Sequence, residues 1–173
     1  MLEAVIFVVF AFSMAFAAFS DLLTMTIANR VSLLLIGTFA AVAPFTGMDW
    51  ATYGMHFAAG GMILAITFAL FAMGGLGGGD AKLLTSIAVW CGFSEVLVEY
   101  MLYATLLGGL LTVTLVMWRG TFSAQYAGAH FAFLEKLSRK DVGIPYGIAL
   151  GAAGLITAPS MPLIKWAVSS VAL

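Results

Sequence analysis

Residues 4–20, AVIFVVFAFSMAFAAFS, contain no charged side chain. A membrane-spanning helix needs about 20 mostly apolar residues, with roughly 17–25 tolerated. The stretch therefore reads as a membrane helix. A cleaved secretory leader is the competing reading. Such leaders open with a positive region, and here the preceding residues offer Glu3 and no Lys or Arg. The helix is expected to be retained.

The rest of the chain follows the same pattern. Of 173 residues, 63% are hydrophobic and 9% charged, against roughly a quarter charged in an ordinary soluble domain. So much apolar surface needs a lipid bilayer as solvent. Further uncharged runs cover 31–48, 50–79, 83–94, 100–118 and 142–164. Pro44 interrupts the second, so its helix is expected at 31–44. The run at 83–94 is short. The fold class is an all-α membrane protein, one domain over 1–173. It is a bundle of about six transmembrane helices, or five if the short run does not cross. The net charge of −1 gives no electrostatic case for a nucleic-acid partner. A lone cysteine, Cys91, forms neither an internal disulfide nor a cysteine-based zinc site and reads as a small buried apolar residue.

Charge then orients the spans. With six of them, the connections near 21–30, 74–82 and 119–141 fall on one side. Arg30, Lys82, Arg119, Lys136, Arg139 and Lys140 all lie there, and only Lys165 lies opposite. By the positive-inside rule that side is cytoplasmic. The one long connection, RGTFSAQYAGAHFAFLEKLSRKD at 119–141, places Tyr126, His130, Phe133, Leu134 and Leu137 at helical spacing. It reads as a short cytoplasmic amphipathic helix on the membrane surface, with a solvated loop as the alternative.

Against this apolar background, GGLGGGDAKLL at 74–84 stands out. Asp80 follows an almost bare loop, and Asp21 is the other acid at a helix end on the same side. An ionisable residue at the membrane boundary is a functional candidate because its desolvation is expensive. Two neighbouring carboxylates cannot both ionise cheaply, so such a pair holds one proton between them near neutral pH. One member can then activate water while the other donates a proton. That is aspartic-protease chemistry, and it requires neither metal nor cofactor. The competing reading is capping: Asp80 as the N-cap of the helix it opens and Asp21 as the cap of a turn. Gly77, Gly78 and Gly79 suit close approach of an extended substrate backbone, but equally suit a flexible loop or tight helix packing. Gly60, Gly61, Gly108, Gly109 and the Gly147/Gly151 pair read as packing positions. His56 and His130 follow no metal-ligand spacing and read as packing or interfacial residues.

Three segments together resemble a known family. Gly77-Gly78-Gly79-Asp80, followed by Ala81-Lys82-Leu83-Leu84, resembles the GxGD motif of the type IV prepilin peptidases. Asp21-Leu22 with Ile27-Ala28-Asn29 resembles the family's first-aspartate segment, with Ala28 where a proline is usual. Ile144-Pro145-Tyr146-Gly147 with Ala149 resembles its Pro-Tyr-Gly segment. The resemblance is closest to the short TadV/CpaA-like branch serving Flp (tight-adherence) pili. It implies an inner-membrane aspartic peptidase, without the methyltransferase of longer members. Such an enzyme cuts the basic leader from prepilins or pseudopilins after a glycine, at the cytoplasmic face. It implies catalytic roles for Asp21 and Asp80. Supporting or substrate-binding roles fall to Gly77, Gly78, Gly79, Lys82, Asn29, Pro145, Tyr146 and Gly147. The readings from other classes are a small ion- or proton-coupled transporter subunit and a non-catalytic pilus-assembly scaffold.

Overall fold

The computed structural model describes residues 1–171, without the side chains of 132 and 133. Its elements are α1 (Leu2–Thr24), α2 (Asn29–Val42, continued by a 3-10 turn at Ala43–Thr46), α3 (Trp50–Ala72) and α4 (Gly78–Cys91). They continue as α5 (Glu95–Trp118), α6 (Phe122–His130), α7 (Ala132–Ser138), α8 (Tyr146–Thr157) and α9 (Pro162–Val171). No strand occurs among the described residues. Four helices among them are long and apolar enough to cross a membrane, and the bent pair α8–α9 makes up to five.

The short run at 83–94 becomes α4, only 14 residues. At 1.5 Å per residue it reaches about 21 Å, short of the roughly 30 Å hydrocarbon core. It is nonetheless the centre of the molecule. Every residue from Leu83 to Cys91 is buried, as expected of a helix apolar on all sides. The Trp90 indole N–H donates to the Leu35 carbonyl at 3.0 Å, and its ring packs on Phe10 and Phe39. Cys91 is buried and free, as its apolar setting predicts.

Two expectations need correction. The run at 142–164 is not one helix. It breaks at Ala158–Ser160, with a 51° bend before α9, because Pro159 and Pro162 cannot continue an α-helical hydrogen-bond ladder. Nor is 119–141 one amphipathic helix. It forms α6 and α7, which meet at Phe131 in an extended conformation. His130 stacks on Tyr126 with centroids 4.1 Å apart and Leu137 is buried. The Phe133 side chain lies outside the described residues.

Small residues set the helix spacing. A Cβ at Gly60 would lie 2.4 Å from Val89 Cγ2, so α3 closes directly on α4; one at Gly151 would lie 2.7 Å from the Met14 carbonyl oxygen, where α8 closes on α1. Gly61 and Gly109 face open space and serve no such contact. Far from these seams, Asp49 caps α3 by accepting the Thr52 N–H at 2.9 Å. Buried His56 Nδ1 lies 2.7 Å from the Val89 carbonyl oxygen with its ring on Phe39, the packing role expected of it.

Candidate active site

Asp21 does not follow α1 but lies in its last turn. Its carbonyl accepts the Met25 N–H at 2.8 Å. Met25 is left-handed (φ 58°), a common way to end a helix, and turns the chain sharply through Thr26–Ala28 into α2. Asp80 is not an N-cap either. Gly77 holds that position, with Gly78, Gly79 and Asp80 forming the first turn of α4. The Asp80 carboxyl instead reaches back to the Gly77 amide, as the third residue of a capping box does. Of the five glycines at 74–79, only Gly74 has positive φ (76°). Gly78 and Gly79 are helical, so their missing side chains serve contact rather than loop flexibility.

Those contacts assemble the site. A Cβ at Gly79 would lie 3.1 Å from Ile27 Cβ and 3.3 Å from the Ile27 nitrogen. The turn after Asp21 therefore rests directly on the first turn of α4. The two acids consequently line one cavity of about 280 Å³ with Met25, Thr26, Ile27, Asn29, Gly77, Gly78 and Gly79. Asp21 is buried, at 6% exposure, and its Oδ2 accepts the backbone N–H of Gly147 at 2.7 Å. Gly147 itself could not carry a side chain here, since its Cβ would lie 2.7 Å from Asp21 Cβ. The expected Gly147/Gly151 packing seam thus runs up to a carboxylate. Asp80 stands in α4, outside the candidate spans. Burial, reinforced by the nearby negative charge of Asp21 and opposed by the Gly77 amide, pushes its pKa up to about 7. Two carboxylates that face one cavity cannot both ionise cheaply.

The remaining candidates arrange themselves around this centre. Lys82 does not line the cavity. It lies on the outer face of α4 and its Nζ donates to Asn29 Oδ1 at 2.8 Å, so it touches the site through Asn29. Pro145 centres a tight turn in which the Tyr146 N–H donates to the Ile144 carbonyl at 2.8 Å, and the Gly147 N–H is left to face Asp21. Tyr146 points away from the carboxylates. Its hydroxyl lies 2.9 Å from Thr112 Oγ1, and its ring lies against Gly108, where a Cβ would sit 2.6 Å from Cε1. Thr112, Gly108 and Ile27 were not legible as site residues from their own types. The one signal for Ile27 is its place in the short loop after Asp21. Among the described residues, no three His, Cys, Asp or Glu side chains gather as metal ligands.

The chain is similar over residues 8–117 to the type IV leader peptidase family. That stretch contains both aspartates and stops before Gly147. No curated protein and no solved structure matches the chain. Since the matched segment covers well over half of the sequence, the chain belongs to the type IV leader peptidase family.

Proposed function

We propose that this membrane peptidase is an aspartic endopeptidase that removes the short leader from Flp-type prepilins or pseudopilins at the cytoplasmic face of the inner membrane. Asp21 and Asp80 are its catalytic residues. The observation that carries this reading is that both carboxylates line the same cavity. The pair holds one proton. Its ionised member takes a proton from a water, which attacks the scissile carbonyl. Its protonated member gives its proton to the departing amide nitrogen, and the pair returns to its starting state. Gly77, Gly78 and Gly79 form a wall without side chains against which an extended leader can lie. Gly147 fixes the Asp21 carboxylate by its amide, Pro145 and Tyr146 fix Gly147, and Asn29 with Lys82 borders the entrance. The mature pilin's apolar helix stays in the bilayer.

The test is coexpression with a Flp-type prepilin in membranes, reading leader removal by mass spectrometry. Asp21→Asn and Asp80→Asn keep the shape but cannot cycle a proton. Each is expected to lower cleavage by roughly a thousandfold. Cleavage at the wild-type rate by either variant would sink the dyad. A topology reporter fused within 121–141 checks the cytoplasmic side, and a periplasmic signal would reverse it.

A further inference from the structure

The backbone amide that meets Asp21 belongs to a turn that α5 holds from outside the site. Arg119 ends α5, and its guanidinium spreads over three carbonyls of the returning chain. Nε donates to Leu137 at 2.8 Å, Nη1 to Val142 at 2.9 Å and Nη2 to Gly143 at 2.8 Å. All three of these hydrogen bonds go to backbone oxygen, and among the described residues no carboxylate forms a salt bridge with it. Two residues beyond Gly143 comes Pro145, whose ring fixes φ, here at −74°. Tyr146 is then pinned to α5 by Thr112 and Gly108. The next amide is that of Gly147, 2.7 Å from Asp21 Oδ2. The guanidinium, the proline and the tyrosine therefore leave the Gly147 N–H little freedom in where it points.

We propose that Arg119 is a positioning residue of the peptidase: by gripping the 137–143 backbone it sets the Pro145 turn so that the Gly147 amide holds the Asp21 carboxylate in register with Asp80. The inference rests on the dyad reading above. It requires arginine in particular, because only a planar fork of five donors can serve three carbonyls in different directions, whereas a lysine ammonium is a point donor on a flexible stem. A positive-inside anchor would need only the charge. Arg119→Lys separates the two.

The full-length protein is assayed in detergent on a purified Flp-type prepilin. Arg119→Lys is expected to lower kcat about tenfold with KM within about twofold, since misplacing a catalytic group costs rate rather than binding. Its thermal midpoint is expected to match the wild type. Arg139→Ala removes a charge from the same connection, where Arg139 makes an exposed pair with Asp141 at 2.6 Å, and is expected to leave kcat unchanged. If Arg119 acts through Gly147, the double variant Arg119→Lys/Gly147→Ala is no slower than Gly147→Ala alone, because the two losses are one loss. Should Gly147→Ala fail to accumulate, Tyr146→Phe takes its place in the cycle, with the same expectation. Wild-type kcat in Arg119→Lys, additive losses in the cycle, or a rate loss that follows a fall in thermal midpoint each overturn the proposal. Asp21→Asn in the same assay separates the two levels. If it cleaves normally the dyad itself is wrong and the inference falls with it. If it is dead while Arg119→Lys has wild-type kcat, only the positioning role fails.

Discussion

Asp21 and Asp80 share a cavity but are held in opposite ways. Asp80 stands in the first turn of its own helix, where the macrodipole favours a negative charge, and its amide donor, Gly77, is three residues away. Asp21 stands in the last turn of α1, where the same dipole opposes the charge. Its support comes from a donor 126 positions along the chain, the first-turn amide of α8. Each carboxylate thus meets the positive end of a helix, one its own and one borrowed. The borrowed arrangement has no local insurance: Asp21 depends on how α8 is docked, and Asp80 does not.

The glycines beside the two acids offer the largest break in that symmetry. A Cβ at Gly147 would press on Asp21 Cβ at 2.7 Å, close to the α1 backbone, whereas one at Gly77 would meet only Asp80 Oδ2, at 2.6 Å. The first contact can be relieved only by moving α8 from α1; the second by turning a carboxyl. Gly147→Ala is expected to lose roughly a hundredfold in kcat and about 1–3 kcal/mol of stability through overpacking. Gly77→Ala is expected to lose about tenfold in kcat with an unchanged thermal midpoint. Equal stability losses in the two variants would mean that both acids are equally local.

Proton occupancy gives the next contrast. Asp80 titrates near 7 in the folded protein, against 3.8 for an ordinary aspartate. Above that point the pair loses its shared proton, so kcat is expected to fall about tenfold per pH unit on the alkaline side. A profile flat to pH 9 would remove the shared-proton mechanism. The sign for stability follows from the same shift. A carboxyl whose folded pKa is raised binds a proton that the unfolded chain has already lost, so stability declines as pH rises from about 4 to about 7 and is level beyond. Asp80→Asn carries no such charge. It is expected to melt several degrees above the wild type at pH 8 and level with it at pH 4. Asp21→Ala should do the reverse, since it leaves the buried Gly147 amide without a partner at a cost of about 1–3 kcal/mol. Matching shifts in the two variants would erase the difference between the local and the borrowed site.

The same distinction explains what could be read from the chain before its fold was known. The apolar runs of α1, α3 and α5 declare themselves because lipid as solvent demands length and low charge. The grouping of Asp21 with Asp80 was legible from sidedness, a global count of charges. The capping of Asp80 was legible in kind but misplaced by three residues, because glycine can hold an N-cap as readily as open a loop. The break in the last apolar run was signalled by Pro159 and Pro162 but outweighed by hydropathy. The Gly147–Asp21 contact, and the grip of Tyr146 on Thr112, were not legible as contacts. They depend on the docking of α8 between α1 and α5, a tertiary choice that no local pattern of Tyr, Gly or Thr encodes.

The smallest effect belongs to Lys82, and it tests whether the local site is wholly local. Its Nζ reaches Asn29 Oδ1 at 2.8 Å, tying α4 to the start of α2 at the rim of the cavity. The bond is exposed, and an exposed charge-assisted contact contributes well under a buried one. If it only anchors the chain at the membrane face, Lys82→Arg and Lys82→Ala should differ by charge alone and cleavage should not change. If it sets Asn29 at the rim, Lys82→Ala should raise KM roughly two- to threefold, a fraction of a kcal/mol, and leave kcat intact. Asn29→Ala should do the same, and the double variant should add nothing. A fall in kcat without a rise in KM would carry the effect of Lys82 inward, from the rim to Asp80 two residues before it. The first turn of α4 would then act as one unit, rather than as a self-sufficient carboxylate with a separate latch beside it.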